Sequence, residues 1–297
     1  MIEPPCLKSG DTVYITAPAK AIEESFIFAA KKTLESWGLN VRISPHCLGQ
    51  FHYFSGSDEE RLADFQIGLD DPSIKAILCA RGGYGCVRLV ERLNWDLFKK
   101  FPKWVIGFSD ITVFHQKIHR LGIESIHGIM PLGIVEGSDA AKETLKNTLF
   151  GASYTLEAPY VSENIAGDAL GELVGGNMAI VTSLLGTSLS YSFKNKVLVL
   201  EDVGEHVYKI DRMLNSLELS GAFKQINGLV LGGFTEIEDT DVPFGKTIKE
   251  LVLEKVQDLG IPVAFELPVG HIKDNQAIIL GRTAVLKVTE TKTTLLI

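Results

Sequence analysis

Apolar positions along the chain alternate between strand and helix spacing. Thr12 to Thr16 (TVYIT) is β-branched and strand-like, and Ile22 to Trp37 carries apolar side chains at helical spacing until Gly38 stops it. Leu39 to Ile43 reads as a second strand. Asp58 to Leu69 reads as a helix whose first three acids suit its positive end, closed by Asp70-Asp71-Pro72. Ile74 to Ala80 (IKAILCA) is a third strand, and after the turn Arg81-Gly82-Gly83-Tyr84-Gly85 a helix is predicted through Leu93. Val105 and Ile106 end another apolar run, Gly107 permits a bend, and an amphipathic run from Val113 reaches Leu121. Four rounds of strand and helix predict a parallel sheet with helices on both faces.

The pattern then weakens. Residues Asp139 to Glu163 lack strand periodicity and end in a loop around Pro159, which places a linker at 146–165 between domains 1–145 and 166–297. The second half restarts at Ala169 to Asn177, with Asn177 as cap of a helix from Met178 to Leu185. Strands follow at Lys196 to Leu200, Gly228 to Leu231 and Ile261 to Ala264, and helices at Val207 to Leu219 and Ile248 to Leu259. The tail from Ala277 to Ile297 alternates and is rich in valine, isoleucine and threonine, so it reads as a hairpin-like pair of strands.

A formal net charge of -8 removes a basic face for nucleic acid or anionic membrane. No apolar run reaches the roughly 18 residues of a spanning helix. The first residues carry acid and proline where a secretion signal needs base and a long apolar stretch, and the four cysteines form no C-x-x-C, so a cytoplasmic protein is expected. Histidine, cysteine and carboxylate stand nowhere at ligand spacing with a third partner, so neither metal nor cofactor is expected; His115 and His119, one turn apart, read as a helix face.

Three turns could carry chemistry, and each follows a strand. In Gly107-Phe108-Ser109-Asp110-Ile111, Ser109 is either a helix cap or a nucleophile lifted above the sheet; the elbow pattern G-x-S-x-G is met only in part, because Ile111 replaces its second glycine. That mismatch, and the lack of an HGGG-type loop, argue against an ordinary α/β-hydrolase esterase. Arg81 to Gly85 is a plain turn, a phosphate cradle or a source of an oxyanion N–H; it fails the dinucleotide fingerprint and lacks a P-loop lysine. Glu201 ends an apolar strand, and His271 sits on the turn Pro268-Val269-Gly270-His271. Ser109, Glu201 and His271 therefore offer nucleophile, orienting acid and base in chain order.

With these pieces in place the sequence resembles the LD-carboxypeptidases, serine peptidases of the murein tetrapeptide and microcin-immunity type. The resemblance rests on RGGYG at Arg81 to Gly85, IGFSDIT at Ile106 to Thr112, GGN at Gly175 to Asn177, LEDVGE at Leu200 to Glu205, YKIDRML at Tyr208 to Leu214 and PVGH at Pro268 to His271. It implies an N-terminal α/β domain, a C-terminal α/β domain with a mixed sheet, an active site between them, and a homodimer. It implies a triad of Ser109, Glu201 and His271, and an oxyanion hole from the backbone N–H groups of Asp110 and Gly83. The implied reaction cuts an L,D-amide and releases terminal D-alanine from a cytoplasmic murein tetrapeptide. A cation must then meet the substrate's carboxylate, and Arg81, Lys273 and Arg282 are the candidates. The alternative within the family is cleavage of peptidyl-nucleotide amides, for which Tyr191 and Phe193 are the candidate base-stacking rings. Outside it, a nucleotide- or phosphate-binding protein using the RGGYG turn is the competing reading.

Overall fold

A computed structural model describes residues 1–297 and forms two compact units, Met1–Ser153 with Lys273–Leu280, and Tyr154–Ile272 with Gly281–Ile297. The first unit contains β1 (Thr12–Thr16), α1 (Glu24–Ser36), β2 (Asn40–Ile43), α2 (Asp58–Asp70), β3 (Ile74–Cys79), α3 (Asp96–Lys100), β4 (Trp104–Gly107), α4 (Thr112–Arg120), β5 (Ser125–His127), α5 (Pro131–Glu136) and α6 (Asp139–Phe150). The second contains β6 (Thr155–Pro159), β7 (Gly167–Asn177), α7 (Met178–Ser183), β8 (Lys196–Val203), α8 (Val207–Leu219), β9 (Gly228–Thr235), α9 (Ile248–Val256) and β10 (Val263–Ala264). The chain then gives β11 (Ile278–Leu280) to the first unit and β12 (Thr283–Val288) and β13 (Lys292–Leu296) to the second.

The sheet of the first unit runs β11-β5-β4-β3-β1-β2. Its five sequential strands are parallel, and β11 joins β5 antiparallel at the edge. Strands covered on both faces lose the polar alternation, and in β3 only Lys75 is exposed. Helix α2 starts with a capping box: Glu60 N–H donates to the Ser57 hydroxyl at 3.2 Å, and Ser57 N–H donates to the Glu60 carboxylate at 2.8 Å. The second sheet runs β10-β9-β8-β7-β12-β13-β6, parallel from β7 to β10 and antiparallel beyond, so it is mixed. Helices α7, α8 and α9 cover one of its faces around Leu198, Leu200, Leu214 and Leu231.

Several expected elements differ. The predicted linker 146–165 contains the end of α6 and the whole of β6; α6 is amphipathic around Ala141, Leu145 and Leu149, and β6 buries only Leu156 and Ala158. The tail is not one hairpin: only β12 and β13 pair, while the three residues of β11 complete the other sheet. No helix runs to Leu93 after the glycine turn. A 3-10 turn at Cys86–Arg88 takes its place, although Cys86, Leu89, Val90 and Leu93 are buried at the helical spacing that suggested it.

His115 and His119 both lie on α4, and His115 is on its buried face. It is fully buried, its Nε2 lies 2.9 Å from the Gly107 carbonyl and its Nδ1 lies 2.8 Å from the Ser125 hydroxyl. A carbonyl only accepts, so Nε2 carries the proton and Nδ1 accepts from Ser125. The ring thereby ties α4 to the end of β4. Burial pushes its pKa down to about 3. Between pH 6.5 and about 3 the unfolded chain binds a proton here that the folded chain refuses, so this residue's contribution is lost as pH falls, by up to about 1.4 kcal/mol per pH unit. Urea unfolding at pH 7 and pH 5 should show His115→Gln less stable than the parent at pH 7 but losing less on acidification. Equal losses in the two proteins would contradict this.

Candidate active site

Ser109 stands between β4 and α4, at the start of a short 3-10 turn, Ser109–Ile111. Its φ is +64°, in the left-handed region that costs a residue with a β-carbon roughly 1–3 kcal/mol. Phe108 before it is fully extended. The reversal from extended to left-handed backbone throws the Ser109 side chain out of the sheet and half into solvent. Gly107 leaves space for the Ile111 side chain under this turn, since a β-carbon there would stand 2.8 Å from Ile111 Cγ1. The hydroxyl does not cap the helix: the residue at the cap of α4 is Ile111, with no side-chain bond. Of the two readings open in the sequence, the helix cap is therefore removed.

The turn Arg81 to Gly85 lies against this serine. A β-carbon on Gly82 would sit 2.9 Å from Ser109 Cβ, 3.1 Å from its Oγ and 3.2 Å from the Asp110 nitrogen. Gly82 thus makes the close approach, whereas Gly83 supplies the left-handed turn at φ +97° and packs beside Tyr53 and Lys20. The carbonyl of Gly82 accepts from Lys20 N–H at 3.1 Å. In a trans peptide the next N–H points the opposite way, so the Gly83 N–H is turned from Lys20, and no group of the chain accepts it. At the far end of the turn the N–H of Cys86 donates to Asp110 Oδ2 at 2.8 Å, and Gly85 N–H points at the same carboxylate. Two of the N–H groups at the end of this turn are thus taken by the protein's own carboxylate rather than left for a phosphate.

In the second unit, side chains along β8 alternate. Leu198 and Leu200 enter the core under α7 and α8, and Asp202 follows them to that face. Its carboxylate accepts from Ala179 N–H, Val203 N–H and Asn177 Nδ2, each at 2.9 Å, and burial pushes its pKa up to about 6. Asn177 is the N-cap of α7, as expected. Glu201 faces the other way, fully buried, and its Oε2 lies 2.6 Å from His271 Nδ1 and 3.3 Å from His271 N. The other nearby acid, Glu205, pairs with Lys209 at 3.3 Å. A carboxylate on Nδ1 fixes the tautomer with its proton there and leaves Nε2 as the basic atom. The pair meets because Gly270 has no side chain: a β-carbon would stand 2.5 Å from Glu201 Cβ. The histidine loop is stitched to β9 by Gly233 N–H to the Val269 carbonyl at 2.8 Å and by the Thr235 hydroxyl to the His271 carbonyl at 3.0 Å.

The three cations proposed from sequence have different surroundings. Arg81 is half-buried immediately before Gly82 and pairs with no carboxylate. Lys273 is exposed, and its carbonyl receives Ser138 N–H at 3.0 Å. Arg282 is half-buried in the turn just before β12, where its carbonyl accepts from Leu173 N–H at 2.8 Å. Leu173 pairs with Val197, four residues before Glu201, or about 13 Å along the strand. Lys20 and Tyr53 were not singled out by sequence reasoning. Lys20 Nζ lies 5.2 Å over the Tyr53 ring, and both flank Gly83. They come from loops after β1 and before α2, with no spacing that would announce them.

Models of the LD-carboxypeptidase N-terminal and C-terminal domains match residues 13–128 and 170–286. The chain is 33% identical over 295 residues to a probable murein peptide carboxypeptidase of Bacillus subtilis, covering 97% of this chain and 92% of that one. Its fold is similar to the crystal structure of muramoyltetrapeptide carboxypeptidase from Oxalobacter formigenes, with TM-score 0.87, 29% identity and coverage of 96% and 97%. It is also similar to an MccF-like protein from Bacillus anthracis, with TM-score 0.87, 25% identity and coverage of 100% and 99%.

Gly82→Ala isolates the contact between the glycine turn and the serine. Alanine suits the backbone there, because Gly82 is outside the left-handed region, but its methyl would collide with Ser109 Cβ. Displacing a reacting group by about 1 Å costs on the order of 10² in rate. The variant should keep its melting temperature to within a few degrees and react with a fluorophosphonate at Ser109 about 10²-fold more slowly. Unchanged labelling would show that the contact is incidental.

Proposed function

Because this chain belongs to the LD-carboxypeptidase family of serine peptidases, we propose that it releases the terminal D-alanine from murein tetrapeptide by hydrolysing an L,D-amide. The observation that carries the reading is Ser109 held at φ +64° with a glycine turn pressed on it. A serine kept in so unfavourable a backbone conformation is retained where its hydroxyl is needed.

In this reading His271 Nε2 is the base that takes the proton of Ser109 Oγ as Oγ attacks the carbonyl of the L-residue. Glu201 steadies the imidazolium through the 2.6 Å contact. The negative oxygen of the tetrahedral intermediate is received by the N–H groups of Asp110 and Gly83. His271 then gives the proton to the leaving amine, D-alanine departs, and water repeats the sequence on the acyl-serine. Arg81, joined by Lys20, is the better-placed cation for the free carboxylate. The reaction calls for no metal. Free thiols at all four cysteines suit a cytoplasmic setting, and the peptide fragments of recycled wall are a substrate found there. A homodimer is part of the same proposal.

A nucleotide-bearing substrate is disfavoured by the aromatic residues. Tyr191 and Phe193 lie in the core of the second unit, and the Tyr191 hydroxyl donates to the Gly175 carbonyl at 3.2 Å. Neither ring has a free face to offer a base.

Two tetrapeptides that differ only in the chirality of the terminal alanine test the proposal. Release of D-alanine with negligible L-alanine is expected, since an enantiomer leaves buried polar groups unpaired. Ser109→Ala and His271→Ala should each remove most turnover, with the double variant hardly worse. Glu201→Gln should lose roughly 10³ to 10⁴ in rate. Equal release of both alanines, or cleavage confined to a peptidyl-nucleotide amide, overturns the assignment.

A further inference from the structure

Asp110 has two functional ends. Its backbone N–H faces the Gly82 approach, 3.2 Å from where a β-carbon of Gly82 would be. Its side chain turns the other way, into the protein, where it is almost completely buried. There Oδ2 accepts from Cys86 N–H at 2.8 Å, with Gly85 N–H directed at the same group. Cys86 is 24 residues away in sequence, and the two donors stand at the end of the glycine turn.

A charged group in this position is costly to bury. Burial raises the Asp110 pKa, while the backbone donors and Arg61 oppose that rise. Arg61 is itself buried beneath the turn, 2.7 Å from where a β-carbon of Gly85 would be. Its guanidinium is held by Asp58 and by the carbonyls of Gly56 and Pro18, so it stands as a fixed counter-charge rather than a mobile partner. A cap on a 3-10 turn of three residues needs no such arrangement, and a serine hydroxyl would satisfy one N–H. What the carboxylate adds is a charge-assisted tether, about twice as strong as a neutral one, between two loops.

We infer that the Asp110 carboxylate is a positioning group that clasps the Arg81–Gly85 turn to the serine turn and so sets the spacing of the two oxyanion donors. The inference rests on the proposed reaction, in which the N–H groups of Asp110 and Gly83 receive the oxyanion. One residue then supplies a donor with its backbone and places the second donor with its side chain. Loosening the side chain moves a donor that acts on the oxyanion of the transition state, and it acts at the Gly85–Cys86 end of the turn, away from Arg81, so the loss falls more on kcat than on KM.

The experiment compares D110A, D110N and D110E with the parent, reading kcat and KM for D-alanine release, the rate of fluorophosphonate labelling at Ser109, and the melting temperature. D110A should lose about 10²-fold in kcat and a similar factor in labelling, with KM within about threefold. D110N keeps an oxygen for Cys86 N–H and should stay within about tenfold of the parent. D110E keeps the charge but lengthens the clasp by one methylene, and should lose kcat at unchanged KM; it reads the same question where D110A does not fold. A folded D110A with parental kcat overturns the clasp, as does a D110E with parental kcat, a D110N no better than D110A, or a rise in KM alone. If the parent labels at Ser109 but releases no alanine, the substrate assignment fails and labelling alone still reads the clasp. A parent that does neither overturns both.

Discussion

The left-handed backbone at Ser109 is the constraint on which the first unit's site depends. An isolated residue would relax to a commoner conformation, so neighbouring groups have to over-determine this one. They do so from three directions. Gly107 leaves space for Ile111, the buried His115 holds the Gly107 carbonyl, and Gly82 presses on Ser109 from the adjoining turn. Each partner comes from a different element, the end of β4, helix α4 and the turn after β3, so neighbouring parts of the sheet combine to present one hydroxyl.

The second unit solves a simpler problem by the period of a strand. Glu201 and Asp202 are adjacent acids with opposite destinations, since successive side chains point to opposite faces. One meets His271; the other closes the N-terminus of α7 and fixes the helix that covers the sheet. The buried Asp202 is satisfied by three donors, so its place in the core is that of a cap. No comparison of residue types could separate the two acids. The parity of their positions along β8 does.

Much of this architecture was legible in the chain because its signals are local. The strand at Ile74–Cys79, the helix limits at Asp58 and Val207–Leu219, and the cap at Asn177 all follow from periodicity or end chemistry. The strand–turn–helix around Ser109 was legible for the same reason, with Gly107 as its marker. What escaped depends on distant partners. Strand β11 is three residues long, too short to show a period, and its place is set by pairing with β5, some 150 residues earlier in the chain. The helix expected through Leu93 is replaced by a 3-10 turn whose first N–H is taken by the distant Asp110 carboxylate, a partner that local spacing does not reveal. Arg282 drew attention by lying near a glycine turn in sequence, and its backbone is tied to Leu173, four residues of strand pairing before the Glu201 level.

Glycine shows where local and distant constraints meet. Gly82, Gly107 and Gly270 each occupy a point where a β-carbon would fall within 3 Å of a neighbour, and the neighbours are Ser109, Ile111 and Glu201. Two of those contacts touch residues proposed to do the chemistry, and the third supports the strained turn that carries Ser109. From sequence alone such residues look like ordinary turn formers, and Gly83 and Gly82 are indistinguishable. In the folded chain they divide the work: Gly83 takes the left-handed bend, and Gly82 allows the contact. A site assembled from backbone approaching side chains at van der Waals distance has little freedom to drift. Its precision comes from missing atoms as much as from the hydrogen bonds that remain.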